Sequence, residues 1–318
     1  MPNDDDQTQV RVAWLYYMEG LTQAEVADRL KITRLRVNRL LVEARANGLV
    51  NISLNSSLAG CIRLEQALVK ECRLKDAVIV PTPQHLDLVA PMIGRAAGEY
   101  LSRLLETKQL RGFGVGWGAT LRETIRHVRP GHHPKLMVAS MMGGLTYGIE
   151  LNTFETASDL AGRVGAQCHY LAAPIYAGSP ESRDTILAQD VFKEAFERIA
   201  ATDAAILSVG DLSQRSFLIR NGLPRDVTSE DLRARGAAGD ILGQFVDADG
   251  QPIDHSINRR AIALSLDALR QIPTVILASG GANKSRVIAA VVKARLVSVL
   301  ICDERTAAAA LQHLREPA

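Results

Sequence analysis

The sequence has little that would staple a chain or anchor it. Its four cysteines, Cys61, Cys72, Cys168 and Cys302, stand apart with no C-x-x-C pair. His132 and His133 are adjacent and have no partner at ligand spacing. No disulfide framework or zinc site is indicated, and the thiols read as free, packed side chains. No apolar run is long enough to span a bilayer, and the opening residues, MPNDDDQTQ, lack the basic start and apolar core of a signal peptide. The expected location is the cytoplasm, with no membrane partner. Excess charge is missing too: 37 Lys+Arg against 35 Asp+Glu leave a formal net charge of +2. Any affinity for nucleic acid must therefore come from a local patch. Internal repeats and low-complexity linkers are absent. What remains is 318 residues of ordinary apolar content, 47%, with room for one large domain and one small one.

Residues 10–54 read as helix, helix, turn, helix, strand. The first helix carries Val10, Ala13, Trp14 and Tyr17 at i, i+3, i+4, i+7, and Gly20 supplies a left-handed stop. The second opens on Thr22-Gln-Ala-Glu25, a capping box, and turns Val26, Ala27 and Leu30 inward. The third starts at Thr33, a good N-cap, and buries Val37, Leu40, Leu41 and Ala44. Arg34, Arg36, Asn38, Arg39 and Arg45 take its other positions. Two short helices joined by a tight turn, the second bearing arginines outward, form the arrangement that enters a major groove. Arginine forks onto guanine, asparagine pairs with adenine, and arginines farther along reach phosphates. The candidate DNA contacts are Thr22, Gln23, Thr33, Arg34, Arg36, Asn38, Arg39 and Arg45. Lys31 stands where the turn usually has glycine, so it either adopts a strained φ or the turn differs.

From about residue 58 the pattern becomes α/β. The expected strands are Ala77–Val80, Gly112–Val115, Leu136–Met141, Ala204–Val209, Val275–Ala278 and Val297–Cys302. Amphipathic stretches at Pro91–Leu105, Arg183–Ala200 and Lys284–Ala294 separate some of them. Buried strands alternating with helices predict a mostly parallel, Rossmann-like sheet covered on both faces, with ligands beyond the carboxyl ends of strands. The boundary is expected near Asn55–Gly60, giving a DNA-binding domain over residues 1–55 and a second domain over 56–318.

Two glycine loops sit where a ligand is expected. Gly114-Val-Gly116-Trp117-Gly118-Ala-Thr120 follows one strand, and its backbone amides and the next helix start suit an anion. It also fits a loose G-x-G-x-x-A dinucleotide pattern, but the following strand ends Ser140-Met141-Met142-Gly143-Gly144, with no acid to hold a ribose. Ala278-Ser279-Gly280-Gly281-Ala282-Asn283-Lys284-Ser285 has Asn283 where a nucleotide-triphosphate loop needs glycine, so what remains is a strand, a double glycine and a lysine at a helix start. A cation there opposes the helix dipole unless an anion is near, which favours a ligand role for Lys284.

Taken in order and spacing, several segments resemble the SorC/DeoR-type family of sugar-binding bacterial transcriptional regulators, over nearly the whole chain. They are Leu21–Leu30, Arg39–Arg45, Gly48–Val50, Gly114–Leu121, Gly239–Phe245, Ile272–Val275, Gly280–Lys284 and Val299–Thr306. The resemblance implies an effector domain like sugar-phosphate isomerases and glucosamine-phosphate deaminases without their catalysis. It implies no cofactor, no metal, a sugar, sugar phosphate or polyol phosphate as effector, double-stranded operator DNA as partner, and a homodimer or homotetramer. By it, Gly116, Trp117, Gly118 and Thr120 would line the phosphate end of the cleft, with Gly143 and Gly144 beside the sugar. Asp240 and Lys284 would be polar anchors, Gly280 and Gly281 would shape the second loop, and Arg260 and Asp303 are further candidates. Some members form a Schiff base, but the only lysine near the strand Leu136–Met141 is Lys135, at its start, so that chemistry does not carry over.

The expected function is regulation of a carbohydrate or polyol catabolic operon. The rival is a sugar-phosphate isomerase or deaminase with an appended helical domain, which would need a general base among Asp240, Asp303 and His255. A nicotinamide-binding regulator using residues 114–119 is a third reading.

Overall fold

Short-range chemistry sets residues 4–50. In the computed structural model, which describes residues 4–50, 58–145 and 152–316, helices α1 (Asp4–Tyr17), α2 (Gln23–Leu30) and α3 (Arg34–Ala46) form the first of two compact units, residues 1–56. Gly20, at φ 71°, ends α1. Thr22 and Glu25 make the full capping box: the Thr22 N–H donates to Glu25 Oε2 at 2.7 Å and the Glu25 N–H to Thr22 Oγ1 at 3.3 Å. Lys31 adopts the left-handed conformation (φ 52°, ψ 44°) that the missing glycine left it, and Thr33 caps α3 by accepting from the Arg36 N–H at 3.2 Å. Val12, Leu15, Val26, Ala27, Val37, Leu40 and Leu41 close the core.

The buried side of α1 differs from the expected one. Val10 and Trp14 are exposed, and the inward row is Gln9, Val12, Ala13 and the half-buried Tyr16. This row has the same i, i+3, i+4, i+7 spacing, but polar Gln9 heads it and hid it. The Gln9 amide is satisfied inside: it donates to the Leu40 carbonyl at 3.3 Å and accepts from Asn47 Nδ2 at 3.0 Å. The strand expected beyond Gly48 falls largely on residues 51–57, outside the described residues.

The second unit, residues 57–318, contains ten strands among the described residues: β1 (Asp76–Val80), β2 (Gly112–Val115), β3 (Met137–Ser140), β4 (Gln167–His169), β5 (Ala204–Leu207), β6 (Val209–Gly210), β7 (Gly239–Ile241), β8 (Gln244–Val246), β9 (Thr274–Ala278) and β10 (Val299–Asp303). Seven form one parallel sheet in the order β1-β10-β9-β5-β2-β3-β4. Its inner strands β2, β5, β9 and β10 are buried on both faces because successive residues serve opposite cores, while the edge strand β4 is largely exposed. Ala204 and Ile206 join the core under helices Val89–Thr107, Ala119–His127 and Thr153–Val164. Ala205 and Leu207 join the one under Ala59–Cys72, Ser285–Lys293 and Glu304–Arg315.

From β2 the chain winds outward through β3 and β4. It then returns to the other side of β2 at β5 and winds the opposite way through β9 and β10. The order therefore reverses between β2 and β5, which is where open α/β sheets leave a crevice. The small antiparallel sheet β6-β7-β8 lies in the chain between β5 and β9. Its β7–β8 turn is Leu242-Gly243, at φ 53° and 71°, the pair of positive φ angles that a two-residue hairpin of this twist requires.

Candidate effector cavity and DNA-reading helix

A cavity of about 510 Å³ opens at that reversal. The segments after β2 (Trp117–Thr120), after β5 (Ser208–Asp211) and after β9 (Gly280, Gly281, Asn283, Lys284) line it, joined by Asp240 of β7. Leu86, Asp87, Val89 and Ala90 and the short helix Phe217–Asn221 complete the wall. Each floor segment leaves a parallel strand at its carboxyl end, so one sheet edge gathers groups distant in sequence.

Gly118, at φ 126° and ψ 165°, is the N-cap of helix Ala119–His127 and offers no side-chain cap. The first-turn amides of that helix and the positive end of its dipole are therefore available to an anion beside Thr120. Trp117 meets Phe217 edge-on, with ring centroids 5.6 Å apart at 78°. It forms an apolar wall beside the amides. The second loop is tied from beneath: the Gly281 N–H (φ 100°) donates to Asp303 Oδ1 and to Thr306 Oγ1, both at 2.9 Å.

Asp211, Asp240 and Lys284 also line the cavity. Asp240 is 5% exposed and accepts from the Gly243 N–H at 3.2 Å. Burial pushes its carboxyl up to about 6; the Gly243 N–H and then Lys284 pull the other way, and Asp211 adds to the rise. Burial also lowers the Lys284 ammonium, against the pull of Asp211 and Asp240. Asp211 is 4% exposed; its Oδ2 accepts from the Ser213 N–H at 3.0 Å. Its Oδ1 is buried without a hydrogen-bond partner among the described residues. A buried, unpaired carboxylate oxygen is costly, and a ligand hydroxyl would satisfy it.

Of the residues singled out from sequence, Trp117, Gly118, Thr120, Asp240, Gly280, Gly281 and Lys284 line this cavity. Gly116, Gly143, Gly144 and Arg260 do not. The Gly116 N–H donates to the Ile206 carbonyl at 2.9 Å, and a Cβ on it would lie 3.1 Å from Leu207 Cδ2, so its role is close strand packing. Gly143 and Gly144 pack against residues 173–174 of the same chain: the Gly144 N–H donates to the Ala173 carbonyl at 2.9 Å, and a Cβ on Gly143 would strike the Pro174 and Ala173 carbonyls. Arg260 is buried elsewhere, donating to the Ala177 carbonyl at 2.9 Å and pairing with Asp226 at 2.8 Å. Asp303 caps helix Glu304–Arg315 and accepts from Thr82 Oγ1 at 2.8 Å, which makes it a support for the loop. His255 caps helix Ser256–Arg260, accepting from the Ile257 N–H at 3.2 Å, and is no part of the cavity wall. Sequence reasoning missed Asp211, although its place just past the end of a buried strand, after Gly210, was a signal.

In the first unit, Thr22 and Thr33 spend their hydroxyls on capping. Arg34, Arg36, Asn38, Arg39 and Arg45 are exposed on α3 and Gln23 opens α2. Arg39 also pairs with Glu43 at 3.6 Å. No helix among the described residues is long and apolar enough to cross a membrane.

A helix-turn-helix joined in one chain to a doubly wound domain with a built polar cavity defines a ligand-responsive DNA-binding regulator. Residues 56–312 match the family described as "Putative sugar-binding domain", and residues 7–47 match sigma-70, region 4. The chain is 31% identical to the transcriptional regulator LsrR of Escherichia coli (strain SMS-3-5 / SECEC) over 314 residues, 97% of this chain and 95% of that protein. It is 29% identical to the erythritol catabolism regulatory protein EryD of Brucella abortus (strain 2308), over 97% of this chain and 98% of that protein. The full-length sorbitol operon regulator SorC of Klebsiella pneumoniae superposes with a TM-score of 0.73 at 26% identity, over 97% of this chain and 100% of that one. The chain belongs to this family of transcriptional regulators with a sugar-binding domain, and the relatives named here are regulators rather than enzymes.

Proposed function

We propose that the protein regulates a carbohydrate or polyol catabolic operon, that its effector is a phosphorylated sugar or polyol, and that it binds operator DNA as a homodimer or homotetramer. The observation that carries the reading is that one cavity wall holds two chemically different groups of residues. The uncapped helix start at Gly118–Thr120 suits a phosphate. Asp211, Asp240 and Lys284 suit hydroxyls, since a buried carboxylate oxygen without a partner among the described residues accepts from them and an ammonium donates to them. The family match and relatives that act on catabolic operons support a sugar-type ligand.

A thermal-shift series of sugars and polyols beside their phosphates tests this. A ligand at a hundred times its Kd adds about 2.7 kcal/mol to stability. The expected result is stabilisation by one phosphorylated compound and not by its parent, weakened in Lys284→Ala. Stabilisation by the parent alone would overturn the phosphate assignment.

A further inference from the structure

The exposed surface of α3 is not simply basic. Its buried line is Val37, Leu40, Leu41 and Ala44. At 3.6 residues per turn, the line diametrically opposite is Leu35, Arg39, Val42 and Ala46. Arg34 and Arg45 fall on one flank of that line and Arg36 on the other. The outermost line therefore begins with a leucine that is 80% exposed and continues past Arg39 to a valine that is 50% exposed.

Helix formation does not require a leucine there, because arginine and lysine propagate a helix about as well. Leu35 does not serve the core either, which is complete without it. It stands at the second residue of the helix, in the first turn, the part of such a helix that comes nearest the base edges. In a major groove the one apolar feature is the C5-methyl group of thymine.

We propose that Leu35 reads a thymine through its methyl group. The line it shares with Arg39 then faces the bases, and Arg34, Arg36 and Arg45 on the flanks face phosphates. This rests on the DNA-binding reading. It assigns sequence discrimination to Leu35 and Arg39.

The full-length protein is used to select an operator from a random duplex library, and each thymine of that operator is replaced singly by deoxyuridine, which removes only the methyl. One replacement is expected to weaken binding about fourfold, the worth of one buried carbon. Leu35→Ala is expected to weaken binding to the thymine operator while making that replacement silent. Its melting temperature should stay that of the parent, because the side chain is exposed. Undiminished sensitivity to deoxyuridine in Leu35→Ala overturns the proposal, as does unchanged operator affinity or an altered sedimentation coefficient, which would make Leu35 a protein contact. Failure to enrich any sequence would instead overturn the DNA-binding reading itself.

Discussion

Asp240 shows how one buried side chain ties the cavity to solution conditions. Its carboxyl sits at about 6 in the folded protein against 3.8 for the free side chain, so between those values the folded state holds a proton that the unfolded chain has released. The protonated form therefore stabilises the fold at low pH, and this contribution is lost as pH rises towards and through 6. Asp240→Asn removes the ionisation while keeping an oxygen for the Gly243 N–H. Its stability relative to the parent should grow by about 1 kcal/mol between pH 5 and pH 7.5, read from urea unfolding. Parallel stability curves for the two proteins would show that Asp240 does not carry the burial described. At this scale the sequence was informative where a glycine loop follows a buried strand. Of the residues read from those loops, Trp117, Gly118, Thr120, Gly280, Gly281 and Lys284 line the cavity and Gly116 does not. Asp211 escaped because its importance lies in an unpaired oxygen, and pairing is a tertiary property. Of the residues taken from family likeness, Asp240 lines the cavity, whereas Gly143, Gly144 and Arg260 lie outside its wall.

The elements show the same contrast between local and non-local causes. Expected strands that run continuously apolar coincide with β1, β2, β3, β5, β9 and β10 to within a few residues. The missed strands β4, β7 and β8 have three residues each, and the expected strand Ala204–Val209 breaks into β5 and the two-residue β6; such strands are too short to display a period and exist because a neighbour pairs with them. The expected helix Arg183–Ala200 is two helices, Pro180–Leu187 and Asp190–Ala200, with Gln189 extended between them. The α2–α3 turn was the opposite case: an absent glycine left either a strained φ or a different turn, and Lys31 takes the strained φ. Lys31 in that conformation costs roughly 1 kcal/mol that glycine would not incur. Lys31→Gly should therefore raise the stability of the first unit by about 0.5–1 kcal/mol, followed by chemical denaturation of the full chain with Trp14 fluorescence. A loss of stability would mean that the lysine side chain compensates the strain.

For the whole molecule, regulation requires that effector binding change the affinity for DNA, and a ligand does so only by as much as it prefers one arrangement of the chains. The proposed pairing supplies such arrangements. Two copies of α3 held at a fixed separation engage two half-sites together, and the second engagement is effectively intramolecular, worth 10²–10⁴ in avidity. Inserting about 5 bp between half-sites turns one of them to the far side of the duplex, and inserting about 10 bp turns it back. The first insertion should reduce affinity about a hundredfold, towards that of a single half-site, and the second should restore part of it. Gel-shift titrations at one fixed salt concentration measure both, because phosphate contacts make every such affinity salt-dependent. The saturating effector should shift the intact operator's affinity yet leave the 5-bp insertion nearly unaffected, since a change of separation matters only where two sites are engaged. Equal effector response on both DNAs would place the switch within one DNA-binding unit rather than between two.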